Sequence, residues 1–158
     1  MAVGILLAGG SGQRMGTSVP KQFIEVDGRP IVCYPLAIME KHPQISSVEI
    51  VCVEGFTEVM WDLVRRYGFS KVKWVTPGGA TCQESTWNGL KNLRGKIPDD
   101  EVVLIHMSSY PLASADIITG CIESANAALP SGRQISETEP PLCWIQGLES
   151  VSGEERFL

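Results

Sequence analysis

The sequence has no excess of basic charge. Its 158 residues carry 13 Lys and Arg against 18 Asp and Glu, a net charge of −5. A nucleic-acid footprint over the whole chain is therefore not expected, although backbone amides can bind phosphate in an acidic protein. Membrane-length apolar runs are missing as well. The apolar start, Met1-Ala2-Val3-Gly4-Ile5-Leu6-Leu7, has no basic leader and meets glycines within ten residues. It is not expected to act as a signal peptide or a membrane span. The five cysteines form no C-x-x-C pair, so zinc-finger spacing is absent. Cys33 and Cys52 lie in apolar runs and read as small core residues. A reducing cytoplasm is the compartment that fits. There is no internal repeat, and no linker before residue 130.

What is present is a globular pattern, 44% hydrophobic and 20% charged, long enough for one hydrophobic core. Val3–Leu7 is a continuous apolar run closed by Gly9 and Gly10 and reads as a buried parallel strand. Further strands are expected at Val48–Val53, Val72–Val75 and Val102–Ile105. Pro35–His42 predicts a short helix stopped by Pro43. Thr57–Tyr67 has Val59, Met60, Leu63 and Val64 at helical spacing, with Gly68 at its stop. Gln83–Leu93 predicts a third helix with Leu90 and Leu93 on one side. Ser114–Leu129 predicts a fourth, with Ser114 as N-cap and Ile117, Ile118, Cys121, Ile122 and Ala125 as its apolar face. Four alternations of strand and helix imply a three-layer α/β fold of Rossmann-like type with a mostly parallel sheet. Its ligand is expected beyond the carboxyl ends of the strands. Residues 1–129 form this nucleotide-binding core. Residues 130–158, rich in proline, glutamate and serine-glycine pairs, read as an irregular, incomplete remainder of the same domain, with a strand near Leu142–Ile145.

The chemistry gathers in the loop after the first strand, Leu7-Ala8-Gly9-Gly10-Ser11-Gly12-Gln13-Arg14-Met15-Gly16, followed by Val19-Pro20-Lys21-Gln22. Glycines let successive amides approach and cradle phosphate oxygens. Arg14 adds a fork of donors and Lys21 a point charge, which suits the charge that builds on a reacting triphosphate. Two better-known phosphate loops are missing. No Gly-Lys-Ser/Thr closes the loop, and a G-x-G-x-x-G count from Gly10 meets Met15.

With Pro20-Lys21-Gln22-Phe23 attached, this segment resembles the signature of the cytidylyltransferases that activate methylerythritol 4-phosphate or ribitol 5-phosphate. Two further segments carry the same resemblance in the same order. They are Gly78-Gly79-Ala80-Thr81-Cys82-Gln83-Glu84-Ser85-Thr86-Trp87-Asn88-Gly89-Leu90 and Val102-Val103-Leu104-Ile105-His106. The resemblance implies transfer of CMP from CTP to a polyol phosphate, in a homodimer, with magnesium bridging the phosphates. It implies catalytic roles for Arg14 and Lys21. It implies nucleotide contact at Leu7, Ala8, Gly9, Gly10, Ser11 and Gly12 on the first loop, and at Gly78, Gly79, Ala80, Thr81 and Ser85 on the second. It also shows departures. Cys82 stands where the family usually has arginine, Met107 where it has the magnesium-binding aspartate, and Tyr110 where it has a second arginine. Methionine is a soft, neutral ligand and cannot replace a carboxylate for a hard cation, so no metal ligand is assigned. His106 reads as a structural residue at a strand end, and Arg133 as a solvated loop residue. Trp87, where a small aliphatic residue is more usual, points towards a ribitol-type enzyme. The departures leave a second reading beside the first: a nucleotide-binding protein of this fold without turnover.

Overall fold

The computed structural model of the chain describes residues 1–10, 19–128 and, for the backbone, 144–146. Its main sheet contains β1 (Ala2–Ala8), β4 (Ile45–Cys52), β5 (Val72–Pro77), β6 (Val102–Met107) and β7 (Trp144–Gln146). A two-stranded ribbon, β2 (Glu25–Val26) and β3 (Arg29–Pro30), follows the first loop. The helices are α1 (Cys33–Lys41), α2 (Thr57–Tyr67), α3 (Cys82–Leu93) and α4 (Ala115–Ala128). The sheet order is β5-β4-β1-β6-β7. All pairs are parallel except β6 with β7. The three-layer, mostly parallel fold expected from the alternation is the one observed.

The order of strands places the helices. The chain steps from β1 to β4 to β5 in one direction, then returns past β1 to β6. Right-handed crossovers running in opposite directions lie on opposite faces of a sheet. Accordingly α1, α2 and α4 cover one face, where Leu6, Ile50 and Leu104 meet Leu36, Met39, Met60, Leu63 and Ile122. α3 covers the other, where Ile5, Val51, Val103 and Ile105 meet Leu90 and Leu93. β1 is buried on both faces along its whole length, which is why it reads as an unbroken apolar run. Each of its Val, Ile and Leu side chains taken from water contributes about 1.5–3 kcal/mol.

Several boundaries and faces differ from the sequence pattern, each for a local reason. α1 starts at Cys33 rather than Pro35, because proline is tolerated inside a helix's first turn and need not open it. β5 runs on to Pro77, pairing with Cys52; as an edge strand it can end in a residue without an N–H donor. β4 begins at Ile45, where the polar Ser46 and Ser47 hide the strand's start. Val59 and Ile117, expected on buried helix faces, are exposed. The burial stripes they border are narrower than their spacing suggested, and Met60, Leu63 and Val64, or Ile118, Ile122 and Ala125, fill them. The ribbon β2–β3 was not expected. Its Asp27-Gly28 turn has both residues at positive φ (49° and 71°), the conformation of the tight hairpin turn that Asp-Gly favours. Cys33 and Cys52 are buried as expected, and burial pushes both thiols up to about 11.

α3 approaches the sheet closely at Gly89. A Cβ there would stand 2.9 Å from Val51 Cγ2 and 3.3 Å from Ile5 Cδ1. Gly89→Ala is therefore expected to destabilise the fold by about 1–3 kcal/mol through overpacking. A urea melt with an unchanged slope and a lowered midpoint is the expected observation.

Candidate functional site

Three strand ends meet in the centre of the sheet. At the carboxyl end of β1, Leu7 O accepts Ser108 N–H at 2.9 Å and Ala8 O accepts Val53 N–H at 3.2 Å. Beside it, Cys52 O accepts Gly78 N–H at 2.7 Å. The loops after β1, β5 and β6 are thus drawn to one edge, at the point where the strand order reverses. In open α/β sheets that crevice takes the ligand.

The two glycine segments touch. A Cβ on Gly9 would stand 3.1 Å from Ser85 Oγ and 3.7 Å from Gly78 Cα. A Cβ on Gly78 would stand 2.9 Å from the same hydroxyl and 3.5 Å from Gly9 Cα. Only residues without side chains allow the first-strand loop and the second loop to lie this close. Ser85 is buried and its Oγ accepts Gly79 N–H at 3.0 Å. From the first turn of α3 the hydroxyl therefore holds the second loop by a hydrogen bond and packs against Gly9 of the first.

The second loop is held by a cap. Thr81 is the N-cap of α3, its Oγ1 accepting Glu84 N–H at 3.1 Å. Glu84 reaches back, and its Oε2 accepts Ala80 N–H at 2.7 Å. This is the reciprocal logic of a capping box, shifted by one residue at its return arm. The cap was readable in the sequence as Thr-x-x-Glu. Ala80 and Thr81 are both expected at the nucleotide; here the amide of Ala80 and the hydroxyl of Thr81 shape the loop. Cys82, the first residue of α3, is exposed.

The remaining positions divide clearly. Leu7 and Ala8 are buried in β1, so they offer backbone rather than side chains. Gly10 is exposed, and Lys21 lies over it: a Cβ on Gly10 would be 3.6 Å from Lys21 Cε and 3.9 Å from Nζ. Ser11, Gly12 and Arg14 lie outside the described residues, as does Arg133. Met107 closes β6 in register with Leu7 and packs against the α3-side core. His106 is buried and its Nε2–H donates to Tyr110 O at 2.9 Å, a structural role at a strand end. Trp87 packs against the α3-side core, which accounts for its size there without reference to an acceptor. Among the described residues no group of three or more His, Cys, Asp and Glu side chains could hold a metal ion. Met107 offers a thioether, and Ser108 is buried with its amide given to Leu7. These residues do not fit magnesium.

A doubly wound sheet with two glycine loops meeting at its switch point and a lysine over one of them is an α/β fold of the nucleotidyltransferase type. The chain belongs to the 2-C-methyl-D-erythritol 4-phosphate cytidylyltransferase family, whose model matches residues 2–134. It is 42% identical over 147 residues to a ribitol-5-phosphate cytidylyltransferase of Lacticaseibacillus paracasei, covering 88% of this chain and 63% of that one. It is 38% identical over 122 residues to a 2-C-methyl-D-erythritol 4-phosphate cytidylyltransferase of Clostridium botulinum, covering 77% and 52%. The crystal structure of 4-diphosphocytidyl-2C-methyl-D-erythritol synthase from Anaerococcus prevotii is similar with a TM-score of 0.63 at 28% identity, over 78% of this chain and 50% of that one. The chain thus spans only part of the length of the relatives it matches.

Proposed function

We propose that this chain provides the nucleotide-binding part of a cytidylyltransferase acting on CTP and a polyol phosphate, ribitol 5-phosphate or methylerythritol 4-phosphate. The observation that carries the reading is the clasp of Gly9, Gly78 and Gly79 around Ser85 with Lys21 over Gly10. In the reaction, a phosphate oxygen of the acceptor forms a bond to the α-phosphorus of CTP. The bond from that phosphorus to the β-phosphate oxygen breaks, and pyrophosphate leaves with the electron pair. Positioning and electrostatics supply the rate of such a displacement. The glycine loops hold the nucleotide, and Lys21, with Arg14, neutralises the charge that moves onto the leaving group. Cytoplasmic residence and a homodimer belong to the same reading. Among the described residues no helix is long and apolar enough to cross a membrane.

A second reading, a nucleotide holder without turnover, is favoured by one observation: Met107, in register with Leu7 at the end of β6, packs into the α3-side core at the position where the family resemblance expects the magnesium-binding aspartate. Titration calorimetry of CTP into the chain, with and without magnesium, separates the two. Binding is expected, and Met107→Asp is expected to make it more dependent on magnesium. Pyrophosphate release on adding either polyol phosphate then selects the turnover reading. Absence of CTP binding in any condition overturns both.

A further inference from the structure

We infer that Gln22 is a positioning residue, which sets Lys21 against the first glycine loop; the inference rests on the nucleotide reading above. Gln22 follows Lys21 in a single turn of 3-10 helix, Lys21–Phe23. Its side chain is 1% exposed, unusual for a glutamine. Its Nε2 donates to Ala8 O at 2.5 Å. Ala8 is the last residue of β1, one position before Gly9, and its carbonyl also accepts Val53 N–H. Gln22 O in turn accepts Val32 N–H at 3.1 Å, just ahead of α1. One residue therefore joins the lysine-bearing turn to the end of the central strand and to the start of the next helix.

The amide's orientation is dictated. Only the NH2 can face a carbonyl oxygen, so Oε1 points elsewhere, and it is buried without a hydrogen-bond partner among the described residues. Leaving a buried acceptor without a partner is costly. An apolar residue would fill the same space without that cost but could not reach Ala8 O. The site keeps the amide for the bond it makes. That bond fixes the lysine's turn to the same backbone that carries Gly9 and Gly10, so the Lys21 ammonium stands over Gly10. Phe23, stacked on Phe56 with centroids 5.3 Å apart, anchors the turn's other side.

A double-mutant cycle on the full chain tests this, with CTP affinity by calorimetry and pyrophosphate release as readouts and a urea melt run on every variant. Gln22→Ala is expected to slow pyrophosphate release by about tenfold in the wild-type background, with CTP affinity changed less, and by less than about twofold when Lys21 is already alanine, since residues acting as a unit are not additive. Gln22→Glu adds a second arm. Its carboxyl donates to Ala8 O only when protonated, so its performance relative to the wild type is expected to rise as pH falls. Equal losses from Gln22→Ala in both backgrounds would mean that Gln22 supports the fold alone and would overturn the inference. Should Lys21→Ala itself leave both readouts unchanged, the role given to Lys21 fails first, and that of Gln22 with it; CTP binding by the unaltered chain reports separately on the nucleotide reading.

Discussion

Lys21→Ala is expected to lower CTP-dependent turnover by about 10²- to 10³-fold, the loss seen when one preorganised donor to a developing anion is removed. The argument starts from placement. Pro20 is buried and opens the turn that carries Lys21. The lysine's Cε and Nζ lie against Gly10, the exposed end of the first glycine segment. Among the described residues no carboxylate pairs with it, the one ion pair there being Arg65–Asp62 on the surface of α2. An ammonium held over glycine backbone, without a carboxylate partner among the described residues, is poised for an anion from outside the protein. A lysine is a compact charge on a flexible stem, so it can follow negative charge as it shifts from the α-phosphorus to departing pyrophosphate. The effect should therefore fall on turnover more than on ground-state affinity. Fold stability should stay close to wild type, because the side chain is partly exposed and makes no hydrogen bond among the described residues. A rate unchanged within twofold would show that the ammonium does not face the reacting phosphates.

Much of this site is legible before any coordinates, for a physical reason. Phosphate loops need glycine at fixed steps along one short segment, and a short segment keeps its order in the sequence. Gly9, Gly10, Gly78, Gly79 and Lys21 are visible in that way. The clasp between the loops is not. Ser85 is 76 residues from Gly9, and only the crossover from β5 through α3 brings it there. Gln22 stands within its motif, yet its bond to Ala8 depends on the path of the 3-10 turn, and hydropathy leads one to expect glutamine outside. The hairpin at Asp27-Gly28 is short and polar, with too few apolar residues for alternation to register, although its turn dipeptide is explicit. The strands were found because burial on both faces leaves continuous apolar runs. Their ends are blurred where serines open β4 and a proline closes the edge strand β5.

Glu49 interrupts one of those runs, and it underlies the largest expected effect on stability. It lies within β4, opposite Ile5 and Trp74 in register, and its side chain is fully buried. Oε1 accepts Thr76 Oγ1–H at 2.7 Å and Asn92 Nδ2–H at 2.9 Å, while Oε2 has no hydrogen-bond partner among the described residues. Burial pushes the carboxyl up from 4.5 to about 7; the two hydrogen bonds and the charge of Lys96 pull the other way but do not cancel it. Burial disfavours the charged form, so the folded protein binds this proton more tightly than the unfolded chain does. Below pH 4.5 both states hold the proton and there is no cost. As pH rises towards 7, the unfolded chain ionises first and the fold loses stability; above 7 the loss is complete at about 3 kcal/mol. Glu49→Gln keeps an acceptor for Thr76 and Asn92 and cannot ionise. The variant is expected to match the wild type near pH 4 and to exceed it by about 3 kcal/mol at pH 8, measured as the difference between two urea titrations at each pH. A difference independent of pH would overturn this account. The position also bears on the site. Thr76 lies two residues before Gly78 on β5, and Asn92 lies on α3, whose first turn carries Ser85. Glu49 ties together the two elements that bracket the second glycine loop, so a neutral side chain there should hold that loop in place without the cost of a buried charge.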